Sequence, residues 1–82
     1  MISEKSWDGE ISVGRVYSIG ERGKKFRVVK FGRRYARRRE AWRNQVVHCD
    51  YVDSGLGHKR ALEFLFDAHD DGRLWVHWEK VE

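Results

Sequence analysis

Six arginines fall within the eleven residues 33–43, and a segment so charged cannot be folded into a core. The run Arg33-Arg34-Tyr35-Ala36-Arg37-Arg38-Arg39-Glu40-Ala41-Trp42-Arg43 contains good helix formers and neither Gly nor Pro. Its only widely spaced apolar anchors, Tyr35 and Trp42, stand seven apart on one helical face, which is too narrow to bury much. The segment therefore reads as a short helix, or as a long loop that becomes helical on binding, largely in solvent. The packed part of the chain has to come from the residues on either side of it.

Those flanks read as short strands. From Ile11 to Ile19, Val13, Arg15, Tyr17 and Ile19 alternate, with Gly14 suggesting a bulge. Gly20-Glu21-Arg22-Gly23 suits a hairpin connection into a second strand, Lys24 to Phe31, which has apolar residues on both faces. Gln45 to Val52 returns to strand character, and Asp53-Ser54-Gly55-Leu56-Gly57-His58 is a turn cluster. Residues 60–68 fit either period, and a strand is favoured because Asp70-Asp71-Gly72 resembles a turn into a last strand, Arg73 to Glu79. Residues 1–10 read as an irregular lead-in anchored by Trp7, ahead of one small β domain spanning 11–82.

The chain's 82 residues fit one domain, 40% hydrophobic and with eleven Trp, Tyr and Phe, enough to fold despite 37% charged residues. The expected fold is mainly β: a small five-stranded barrel, SH3-like or OB-like, with the basic helix or loop between strands two and three. A roll of strands with one packed helix is the competing architecture.

Charge is unevenly distributed. Residues 1–44 carry 13 Lys and Arg against 5 Asp and Glu, whereas residues 45–82 carry 4 against 8. Such a basic field attracts polyanions. Arginine's planar fork of donors matches phosphate oxygens and base edges and stacks on rings. The expected nucleic-acid-binding residues are Lys24, Lys25, Arg27, Arg33, Arg34, Tyr35, Arg37, Arg38, Arg39, Trp42 and Arg43, with Lys30 in the flanking strand. In the last strand, Trp75 and His77 share a face and could form a second stacking platform.

The segment from Arg33 to Trp42 resembles the arginine-rich RNA-binding peptides of phage antitermination and viral export proteins. That resemblance implies docking as a helix in an RNA hairpin, with Arg34, Arg37, Arg38 and Trp42 as the contact set. It is a matter of composition over about a dozen residues, and it differs in being bracketed by strands. The remainder is similar, in a general way, to small SH3-like barrels among phage and prophage accessory proteins.

Three functional readings follow. Nucleic-acid binding comes first, with RNA slightly ahead of DNA. Docking of the basic patch on an acidic protein surface is the second, as for a phage-type accessory factor. In the third, the arginines meet the acidic half of another subunit, or pair within the chain with Asp67, Asp70 or Asp71. No enzyme, metal or cofactor is expected. His48, His58, His69 and His77 match no zinc spacing, and neighbours such as His48 and Cys49 on a strand point to opposite faces. The single cysteine fits a reducing compartment. No apolar run suits a membrane span or signal peptide, so cytoplasm is the expected location.

Overall fold

The computed structural model describes residues 2–32 and 45–78. The strands are β1 (Ile2–Lys5), β2 (Val16–Ile19), β3 (Phe26–Phe31), β4 (Val46–Tyr51), β5 (Gly57–Ala61) and β6 (Leu74–Trp78), with helix α1 (Leu62–Asp70) between β5 and β6. They form one antiparallel sheet in the order β1-β6-β2-β3-β4-β5. The small, mainly β fold is as expected, but the five-stranded barrel is not. Among the described residues six strands are present and no pairing joins β1 to β5, so the sheet is open.

The helix expected between the second and third strands of that barrel falls on residues 33–44, outside the described residues. The helix that is described lies at residues 62–70, where a strand was favoured. Leu62, Leu65 and Ala68 recur at three-residue intervals and are all buried, whereas Phe64, which strand alternation would turn inward, is 42% exposed. The stretch has no β-branched residue to favour extended backbone, and Glu63 suits the first helical turn. Termination is explicit: Arg73 N–H donates to the Ala68 carbonyl (2.8 Å) and Gly72 N–H to the His69 carbonyl (3.0 Å). Gly72 takes φ +73, so this is a Schellman stop.

Two further segments differ from the sequence reading. Ile2–Lys5, expected to be irregular, pairs with β6 from Ile2↔Trp78 to Lys5↔Trp75. It is exposed throughout, so backbone pairing rather than apolar burial holds it. Trp7, expected to anchor the lead-in, is 70% exposed. Gly57 and His58, expected in a turn, begin β5; the turn closes earlier, where Gly55 N–H bonds the Tyr51 carbonyl (2.7 Å).

Strand β2 starts only at Val16. Before it, Gly14 (φ +88) donates to the Val28 carbonyl while Val28 N–H donates to the Arg15 carbonyl. Two residues thus oppose one, the geometry of a glycine bulge. A second irregularity lies in β3: Val28 pairs with Cys49 and Lys30 with His48, leaving Val29 unmatched. This extra residue reverses the alternation, so Phe26, Val28 and Phe31 reach the core while Val29 and Lys30 face out.

The core joins Ile11, Tyr17, Phe26, Val28, Val47, Cys49, Leu74 and Val76 to Leu62, Leu65 and Ala68 of α1. Tyr17 is fully buried, and its hydroxyl donates to the Glu10 carbonyl (2.8 Å) and accepts from Ser12 N–H (3.1 Å), fastening the 10–12 segment to the sheet. Leu65→Ala should lower unfolding free energy by about 2–5 kcal/mol in a urea titration. Gly23→Ala should also destabilise, because a Cβ there would stand 2.1 Å from the Ile19 carbonyl oxygen. A wild-type urea midpoint for either variant would refute this account of the core and hairpin.

Candidate functional site

The arginine segment leaves the sheet after Gly32 and returns at Gln45, so it connects β3 to β4. Its root is tied, with Gly32 N–H donating to the Val46 carbonyl at 2.8 Å. Leu62 N–H, at the start of α1, donates to the Gln45 carbonyl at 2.9 Å, so β5 ends and the helix begins beside the same root. Arg33, Arg34, Tyr35, Arg37, Arg38, Arg39, Trp42 and Arg43 lie outside the described residues.

The described members of the expected set do not cluster. Lys24 and Lys25 precede β3, at the end opposite Gly32, and six residues of strand put about 20 Å between them. Lys24 Nζ lies 5.8 Å from the Tyr51 ring centroid, and the half-buried Lys25 accepts Val52 N–H on its carbonyl (2.9 Å). Arg27 is exposed on the outer face, directly opposite Asp50.

Nearer the root, the outer face carries a basic row that the sequence reading did not assemble. Lys30 pairs with His48, and His48 pairs with Lys59, so the three stand side by side across β3, β4 and β5. Lys30 and Lys59 are exposed and His48 half-buried. Among the described residues, no carboxylate forms an ion pair with either lysine. The outward neighbours of Lys59 on β5 are Gly57 and Ala61, whose small size leaves its side chain uncrowded.

Arg60, one position on, faces inward and packs on aromatic rings. Its guanidinium carbon sits 3.9 Å from the Phe26 ring centroid, and its Nε–H donates to His58 Nε2 at 2.9 Å. His58 stacks on Tyr51 with centroids 4.1 Å apart and meets Phe26 edge-on. Since Nε2 accepts, the proton of the neutral ring is on Nδ1, which is buried without a partner among the described residues. This cation–aromatic stack lets two polar residues serve as the inner face of β5.

The platform expected at Trp75 and His77 is not presented. Strand β6 is flanked on both sides, Trp75 is half-buried, and His77 is 3% exposed. Ser18 Oγ donates to the Gly20 carbonyl (2.6 Å), so it accepts from His77 Nε2–H (2.7 Å). Nδ1 is then a bare acceptor, and Ser3 Oγ donates to it at 2.8 Å. The ring is consumed in clasping β1, β6 and β2 together. The remaining histidine, His69, bonds Ser6 Oγ through Nδ1 (3.1 Å). Among the described residues no three His, Cys, Asp or Glu side chains converge as a metal site would require. No described helix is long and apolar enough to cross a membrane.

Of Asp67, Asp70 and Asp71, the carboxylates expected as internal partners for the arginines, Asp67 lies within α1 and the other two at or just beyond its far end. Nine residues of helix, about 13 Å, carry the chain from Leu62 to Asp70. Asp71, just beyond, already pairs with Arg73 at 2.9 Å. Comparison with protein-family models, curated proteins and solved structures gives no match.

Two outcomes follow from these environments. Burial, with the Lys25 charge adding to it and Glu21 partly opposing, holds the His77 pKa below the ordinary 6.5. The unfolded chain then takes up that proton first as pH falls, so stability is retained at neutral pH and lost below it. Thermal midpoints should drop between about pH 7 and pH 5, and His77→Gln should flatten that drop; equal slopes in both proteins would exclude this role. Burial also pushes the Cys49 thiol up to about 11, so iodoacetamide should modify it only after denaturation.

Proposed function

We propose that the protein binds nucleic acid, RNA ahead of DNA, through the arginine segment between β3 and β4. The observation carrying this reading is the composition of that connection, together with the position of its root on the sheet. Six arginines and two aromatics stand in residues 33–43 with Glu40 as the sole acid. The segment departs beside an outer face on which two lysines have no ion-pair partner among the described residues. Guanidinium groups grip phosphates in pairs of parallel hydrogen bonds, and Tyr35 and Trp42 supply rings for unstacked bases. The resemblance to arginine-rich RNA-binding peptides is what favours RNA.

Internal neutralisation is the main alternative use of the arginines. Asp71 is engaged by Arg73 and Asp70 is a helix length from the root, so Asp67, within α1, is the internal partner left to compete with an external one. An acidic protein surface would satisfy the same charge, and it remains the second reading.

A fluorescent single-stranded RNA should bind at low salt, with affinity falling steeply as salt rises. About five phosphate contacts on a single strand would give a log–log slope near −3.5. Arg37→Glu with Arg38→Glu should weaken binding at least tenfold, on the order of the cost of reversing two phosphate contacts. Absence of binding at low salt would refute the proposal. A nuclease-resistant protein complex lost in the same variant would assign the segment to an acidic protein surface.

A further inference from the structure

We infer that the outer face of β3, β4 and β5 is a second phosphate-binding surface, on which Lys30, His48 and Lys59 hold the sugar–phosphate backbone of the nucleic acid. The inference rests on the nucleic-acid reading above but uses none of the arginine segment's residues. Its foundation is the bulge at Val29. Simple alternation from Val28 would turn Lys30 inward; the unmatched residue turns it outward, in register with His48 and so with Lys59. Two strand spacings separate the lysines, about 10 Å, and their long stems allow both ammonium groups to reach one strand of backbone.

Four features of the surroundings suit an anionic occupant. Neither lysine has a carboxylate partner among the described residues, so no existing ion pair has to be broken. The row borders a shallow depression lined by Val29, His48, Asp50 and Gly57, where Gly57 places no side chain over the surface. Asp50 is the acid on this part of the face, and its partner in the strand register is the cationic Arg27. The row is also two residues from Gly32, at the root of the arginine segment, so one bound strand can continue from one basic surface to the other.

Binding would be measured with a fluorescent single-stranded RNA of mixed sequence and a DNA duplex of equal length, over a series of salt concentrations. Lys30→Gln with Lys59→Gln should weaken binding on the order of tenfold and flatten the log–log salt slope by about 1.4 on the single strand or 1.8 on the duplex. Lys5→Gln, on the opposite edge strand, should leave the slope unchanged. Lysine acetylation of the wild-type protein provides a readout independent of any variant's folding. RNA should shield Lys30 and Lys59 and leave Lys5 reactive.

An unchanged slope in the double variant, with Lys30 and Lys59 still acetylated in the complex, would overturn this inference and leave the arginine reading standing. A flattened slope there, with Arg37→Glu and Arg38→Glu binding like wild type, would support this face and remove the arginine segment. Failure of wild type to bind either probe at low salt would overturn both.

Discussion

One unmatched residue, Val29, sets the character of both sides of the sheet. A strand's side chains alternate strictly, so the identity of its inward set is fixed once the first is placed. In β3 that rule would bury Lys30 and expose Phe31. The bulge cancels the conflict, sending Phe31 to the packed side near the arginine root and Lys30 to solvent. The register of β4 and β5 follows, and with it the alignment of His48 and Lys59. The hydrophobic demand of the core and the basic surface opposite it are therefore two results of the same local irregularity.

Much of the β architecture was legible because the strands nearest the core, β2, β3, β4 and β6, carry the apolar and β-branched residues that mark half-buried strands. The two edge strands were illegible for opposite reasons. Strand β1 buries nothing, so it leaves no hydrophobic period and is held by backbone pairing to β6. Strand β5 does turn a face inward, but His58 and Arg60 occupy it, stacked on Tyr51 and Phe26. No hydropathy pattern reveals a core position filled by a guanidinium. Residues 60–68 fit both periods, and the absence of β-branched residues was the available signal for the helix.

The candidate site divides along the same line. Composition alone singled out the arginine segment, since six guanidinium groups in eleven residues need no fold to be noticed. The row of Lys30, His48 and Lys59 could not be found that way, because its members are 18 and 11 positions apart and meet only through strand register. His77 illustrates the reverse error. It shares a strand with an aromatic, as a stacking residue would, yet its partners Ser18 and Ser3 are 59 and 74 residues distant, and they make it a clasp.

Among the described residues the outer edges of β1 and β5 have no paired strand, and each such rim invites another copy to extend the ladder. The β5 rim answers with charge. A twofold-related neighbour joining there would bring the outward Lys59 against the same residue of its twin, and like charges set opposite one another oppose pairing. The lysine that carries the basic row onto β5 therefore also opposes templated growth at that margin.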